Sequence, residues 1–165
     1  MKAYKITERK NFMGRLLGSS VFDSFLLAEA SITTYNTFLI DGRINKGFFT
    51  GDLNDEALPP YEFSRWQDMR SLCFDLIKGK RTPVGFKFVL HLKPELAESL
   101  LTENGSAVTL NDLKAFVLNI KYDGNDLTCV TATAFHTFIP DKMPDQIWDG
   151  YMDQFMGNNG IGYEP

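Results

Sequence analysis

Two histidines, His91 and His136, carry the acid–base capacity available near neutral pH in this sequence. His91 alternates with Lys87 and Lys93 on the polar face of a predicted strand, and His136 shares a strand face with Ala132, Ala134 and Phe138. Neither stands beside a Ser, Cys or carboxylate in a recognised nucleophile arrangement, so both read as structural or solvated histidines. His136 and Asp141 could share a metal ion, but two ligands do not make a site. Cys73 and Cys129 each lie inside an apolar run and read as buried free thiols. No Cys-x-x-Cys or Cys/His ligand spacing supports zinc.

Phosphate-binding loops are absent as motifs. The run from Gly42 to Gly47 has the two-glycine spacing of a P-loop, yet Phe48 and Phe49 stand where Lys and Ser/Thr are required. Gly157, Gly160 and Gly162 follow no strand and fail the register of a dinucleotide loop. Asp123-Gly124-Asn125-Asp126 lacks the later ligands of a calcium loop and reads as a hairpin turn. Gly85-Phe86-Lys87-Phe88-Val89 has a likeness to the aromatic strand on which RNA-recognition motifs stack bases. Val84, Lys87 and His91 depart from that motif, and Phe86 and Phe88 continue an apolar face with Leu90 and Leu92. Core is the better reading for them.

Two charged groups remain. Lys78, Lys80 and Arg81 follow a predicted helix, where cations offset the negative end of its dipole. They also form a candidate docking point for an anion or an anionic partner. Asp145, Asp149 and Asp153, four apart on another helix, read as a solvated face. That face is also one conceivable partner for the basic turn of a second copy.

The elements that must position these residues are signed by periodicity. A helix from Ser64 aligns Trp66, Met69, Leu72, Cys73, Leu76 and Ile77. Ser64 and Gln67 have capping-box spacing, and Gly79 sits where a left-handed C-cap belongs. A second helix opens at Pro144 and aligns Ile147, Trp148, Tyr151, Met152 and Phe155. Trp66, Leu72, Leu96 and Trp148 are expected in the core. Strands follow from period-two alternation: Val84, Phe86, Phe88, Leu90 and Leu92 share one face, as do Phe116, Leu118, Ile120 and Tyr122. Further strands are expected over residues 25–33, 35–44 and 127–138, with Leu26, Ala28, Ala30 and Ile32 facing one way. Residues 52–60, with Pro59-Pro60, read as a loop.

Side by side, the two halves give the same order of strand, helix, strand, strand and helix. In the short helices over residues 8–17 and 94–101, Phe12, Leu16 and Leu17 correspond to Leu96, Leu100 and Leu101 at a constant offset. The expected fold is α+β: two pseudo-symmetric βαββα units, over residues 2–79 and 84–156, with largely antiparallel sheet. Residues 1–156 then form one domain and residues 157–165 a flexible tail. The arrangement is similar to the halves of a DNA sliding-clamp domain by fold analogy alone. Residues 1–82 carry 12 basic and 10 acidic side chains, against 5 and 11 in residues 83–165. A channel lined equally by both halves would repel phosphate on one side.

Three segments are distinctive: Phe22-Asp23-Ser24-Phe25-Leu26-Leu27-Ala28-Glu29-Ala30-Ser31-Ile32-Thr33-Thr34, Asp41-Gly42-Arg43-Ile44-Asn45-Lys46, and Cys73-Phe74-Asp75-Leu76-Ile77-Lys78-Gly79-Lys80-Arg81-Thr82-Pro83. Together they give the chain a form that resembles an uncharacterised family of clostridia and related Firmicutes. The resemblance implies a bacterial cytoplasmic protein and brings no assigned activity and no catalytic residues.

Composition agrees with a folded domain: 165 residues, 44% hydrophobic and 13% aromatic. A net charge of −4 argues against a general nucleic-acid or membrane-surface binder. The N-terminal residues have charge where a signal peptide has its apolar core. The sequence therefore reads as a cytoplasmic binding or assembly module, without catalytic residues, cofactor or metal, that associates with itself or with another protein. The alternatives are a small-molecule enzyme acting on an anionic ligand near Lys80, Arg81 and a histidine, or a weak nucleic-acid-binding protein.

Overall fold

The computed structural model describes residues 1–49 and 60–165. The chain runs β1 (Ala3–Ile6), α1 (Arg9–Gly18), β2 (Phe25–Thr33), β3 (Thr37–Asp41), a short 3-10 turn at Lys46–Phe49, β4 (Ser64–Arg65) and α2 (Trp66–Ile77). It continues through β5 (Gly85–Leu92), α3 (Pro94–Glu103), β6 (Leu113–Tyr122), β7 (Leu127–Phe135), α4 (Met143–Asn158) and β8 (Tyr163–Glu164). The strands form one antiparallel sheet in the order β3-β2-β5-β6-β7-β1-β8, with β4 also pairing to β2. The architecture is α+β. Most of the loop expected over residues 52–60 lies outside the described residues.

Alternation decides which face of the sheet is inward. Phe86, Phe88, Leu90 and Leu92 of β5 and Phe116, Leu118, Ile120 and Tyr122 of β6 are buried in one cluster. Phe12, Leu16 and Leu17 of α1, Trp66 of α2, Leu101 of α3 and Trp148 of α4 join the same cluster. Each tryptophan also satisfies its indole N–H: Trp66 donates to the Leu16 carbonyl and Trp148 to the Val117 carbonyl, both at 2.8 Å. A buried indole without such an acceptor would forfeit a hydrogen bond it makes in water.

Strand β2 departs from simple alternation. A bulge between Leu27 and Glu29 shifts its register against β5. Phe25 and Leu27 therefore share the inward face with Ala30 and Ile32, correcting the expected grouping of Leu26 and Ala28 with them. Leu26 is buried on the other side, outside the main cluster. At the bulge, the Ala28 carbonyl accepts the Gly42 N–H at 2.8 Å. The approach is so close that a Cβ on Gly42 would lie 1.8 Å from the Leu27 carbonyl oxygen. The Gly42 carbonyl in turn accepts the Ser64 N–H at 2.7 Å and the Ser64 hydroxyl at 2.9 Å. Ser64 is thus a residue of β4, and the expected capping box does not form: Arg65 is the N-cap of α2 and makes no side-chain cap bond.

Other expectations shift with the burial pattern. Trp66 and Trp148 are fully buried, but Leu72 is 46% exposed and Leu96 is 38% exposed. In α2 the buried line runs through Trp66 and Cys73, and in α3 through Ala97 and Leu101, leaving Leu72 and Leu96 on the flanks. Phe12, at the position corresponding to Leu96, is fully buried. The two halves share an element order, while their pairing differs: β5 lies between β2 and β6, whereas β1 lies between β7 and β8. Val84 and Phe138 fall beyond the ends of their strands and are exposed. Residues 157–165 are not a loose tail. They bury Ile161 and supply β8, in which Tyr163 and Glu164 pair with Ile6 and Lys5.

Candidate functional site

The basic turn is built by the end of α2. The Lys78 N–H donates to the Phe74 carbonyl at 2.8 Å, closing the helix, and Gly79 takes a φ of +146° that suits glycine. Lys78 pairs with Asp75 at 3.1 Å and lies over the Phe74 ring at 5.9 Å. Lys80 and Arg81 are exposed and make no ion pair among the described residues. The Val84 N–H then donates to the Thr33 carbonyl at 2.9 Å, tying this segment to the β2–β3 turn. Between turn and helix end lies a groove of about 580 Å³ that gathers Lys78, Lys80 and Arg81 with Tyr35, Phe38 and Val84. Tyr35 is 92% exposed and meets Phe38 edge to face, with ring centroids 6.5 Å apart. The three basic residues were visible in the sequence. The aromatic wall opposite them was not, because the hairpin that carries it precedes them by an entire helix.

The histidines come together elsewhere. His91 and His136 line one pocket of about 230 Å³ with Glu62 and Lys114 at its polar side and Leu26, Leu92 and Leu113 among its apolar walls. Phe63, just before β4 and bridged to Arg43, lies edge-on to the His91 ring at 5.0 Å. Arg43 lies over Phe63 at 5.2 Å and binds Glu62 at 2.6 Å. Burial, aided by the positive charge of Lys114, lowers the His91 pKa below its ordinary value, against a smaller opposing pull from Glu62. The imidazole is accordingly neutral at pH 7. A second cavity of about 580 Å³, lined by Glu29, Ser31, Leu39, Lys87 and Val89, meets this pocket at Phe63 and His91. Neither cavity includes Lys80 or Arg81, so the basic turn and the histidines are separate places. Asp141 is engaged by the Met143 N–H at 2.9 Å. Among the described residues no group of three or more His, Cys, Asp or Glu could hold a metal ion.

The aspartate ladder is a seam rather than a solvated face. Asp145 accepts from the Thr133 hydroxyl, and Asp149 from the Thr131 hydroxyl at 2.6 Å. Asp153 accepts from the Tyr4 hydroxyl at 2.7 Å and from the Lys2 ammonium at 2.5 Å. Burial alone would raise the Asp153 pKa, but the hydrogen bonds from Lys2 and Tyr4 outweigh it and hold the carboxyl below the usual range. Burial first, and Asp153 next, push the Tyr4 phenol up. The ladder spaces α4 along β7 and β1, a use its four-residue repeat does not disclose. Phe86 and Phe88 are buried, with rings in contact with Tyr122 and Trp66 respectively. No helix among the described residues is long and apolar enough to cross a membrane.

Comparison with known proteins gives a family without an activity. No curated protein and no solved structure matches the chain. Residues 15–164, which take in the bulge, the basic turn, both histidines and the three aspartates of the seam, match the family described as "Family of unknown function (DUF5721)", and the chain belongs to that family.

Proposed function

We propose that the protein is a non-catalytic binding module whose groove between the β2–β3 turn and the end of α2 receives an acidic segment of another protein. The observation that carries this reading is the groove that Lys78, Lys80 and Arg81 line together with the exposed Tyr35. Exposed aromatic side chains beside Arg are the composition of interface anchors, and a nearby cationic rim selects an acidic counterpart. A second copy is the weaker occupant, because the aspartates that would face the basic turn are engaged along β7 and β1 of their own chain. Nucleic acid is disfavoured by the net charge of −4. The reading places the module in the reducing cytoplasm, supported by two free, buried cysteines. Burial pushes the Cys73 thiol up to about 12, and the Cys129 thiol rises for the same reason, so neither is a reactive thiolate.

The test is fluorescence anisotropy with a labelled peptide in which Glu and Asp flank Leu and Phe. Wild type binds at low salt and loses affinity as salt rises. Lys80→Glu/Arg81→Glu and Tyr35→Ala each weaken binding about tenfold or more, the equivalent of ~1.4 kcal/mol. Equal affinity across wild type and both variants overturns the assignment.

A further inference from the structure

We infer that the pocket between His91, His136 and Lys114 is a binding site for a small monocarboxylic acid with a short apolar body. This site is separate from the basic groove, and neither inference depends on the other.

The pocket has an apolar interior and one polar side. Leu26, Leu92, Ala97 and Leu113 line it, and each of the four is buried in the fold. Its volume of about 230 Å³ lies below the roughly 300–1,000 Å³ of sites for drug-sized ligands, so the occupant is smaller than those. The charged and titratable groups facing it come from four places: His91 on β5, Lys114 on β6, His136 just after β7, and Glu62 just before β4. Glu62 is already held by Arg43 at 2.6 Å. Lys114 makes no ion pair among the described residues. The polar side therefore has a surplus of positive charge, which an anion would complement. A monoanion fits better than a dianion, because Lys114 is the one lysine or arginine among the residues that line the pocket. A carboxylate can accept from the Lys114 ammonium and from an imidazole N–H, while its hydrocarbon portion displaces water from the leucine walls.

The occupant's charge also acts on His91. That imidazole is neutral because burial and Lys114 disfavour its protonated form. A bound carboxylate offsets both, so binding raises the His91 pKa and, by linkage, tightens as pH falls through it.

The experiment follows the two imidazoles by NMR while titrating hexanoate, with acetate and hexanol as probes that lack the body or the charge. Hexanoate should shift the His91 and His136 resonances saturably, raise the His91 titration midpoint, and bind at least tenfold more tightly than either control. Lys114→Gln, an exposed position that leaves the fold intact, should reduce hexanoate affinity at least fivefold. Inorganic phosphate should compete poorly. Hexanoate binding no better than acetate or hexanol, indifferent to Lys114→Gln, or matched by phosphate overturns the assignment.

Discussion

Thr131 donates its hydroxyl hydrogen to Asp149 at 2.6 Å and accepts the Lys2 backbone N–H at 2.8 Å, so one side chain joins β7, α4 and the residue just before β1. Thr131 is fully buried although polar. Removing the hydroxyl while keeping the shape, by Thr131→Val, leaves both the carboxylate and the N–H short of a partner. The expected loss is about 1–3 kcal/mol in urea unfolding. A loss under ~0.5 kcal/mol would mean that water replaces the hydroxyl and that the seam is not a structural tie.

The same seam has a pH signature. Asp153 has a folded pKa below its ordinary value, so its contribution to stability is present above the unfolded carboxylate pKa of about 3.9 and is lost as pH falls through the lower folded value. Stability measured from pH 6 downward should decline less steeply in Asp153→Asn than in wild type across that acid window. Identical slopes would assign the acid sensitivity to other carboxylates.

Burial separates two leucines of α3 that look alike in sequence. Leu101 is 2% exposed and Leu96 is 38% exposed. Leu101→Ala should cost about 2–5 kcal/mol through lost transfer energy and a residual cavity. Leu96→Ala should stay within ~1 kcal/mol, as flanking positions do. Chemical denaturation of the pair decides it, and equal losses would show the helix turned about its axis.

Gly42 is the tightest point of the bulge. Because an added Cβ would sit 1.8 Å from a backbone carbonyl oxygen, Gly42→Ala must force β3 and β4 away from β2. The cost should reach at least the ~1–3 kcal/mol of an overpacked core. The His91 resonance should move as well, since Phe63 follows the displaced strand. A variant as stable as wild type would be inconsistent with this packing.

Much of the sheet can be read from alternation, because in β5 and β6 the inward residues are uniformly large and apolar. The bulge in β2 escapes that reading: Leu26, Ala28, Ala30 and Ile32 form an apolar alternation as convincing as the true face. Nothing within β2 marks the slip, and the group that meets it, the Gly42 N–H on the Ala28 carbonyl, comes from the residue after β3. The site shows the same division. Lys78, Lys80 and Arg81 stand together in the chain, whereas His91 on β5 and His136 just after β7 line one pocket across the intervening β6. The aspartates were legible as a pattern, but their partners Thr131, Thr133 and Tyr4 belong to other elements. A helix repeat alone says nothing about what it faces.

The position of β1 has a consequence for how the protein is made. Ala3 pairs with Val130 and Ile6 with Tyr163, so a nascent chain exposes this strand long before either partner leaves the ribosome. The hairpin of β2 and β3 can close early, and β5, β6 and β7 can add to it in turn. The far side of the sheet must wait. When β7 emerges, β1 is already there to pair with its edge, but the Thr131 and Thr133 hydroxyls have no α4 to meet until the residues after them follow. Closure over so long a loop pays a large entropic penalty before any contact rewards it, which makes docking of this strand a late step and the interval before it the period of greatest exposure to aggregation.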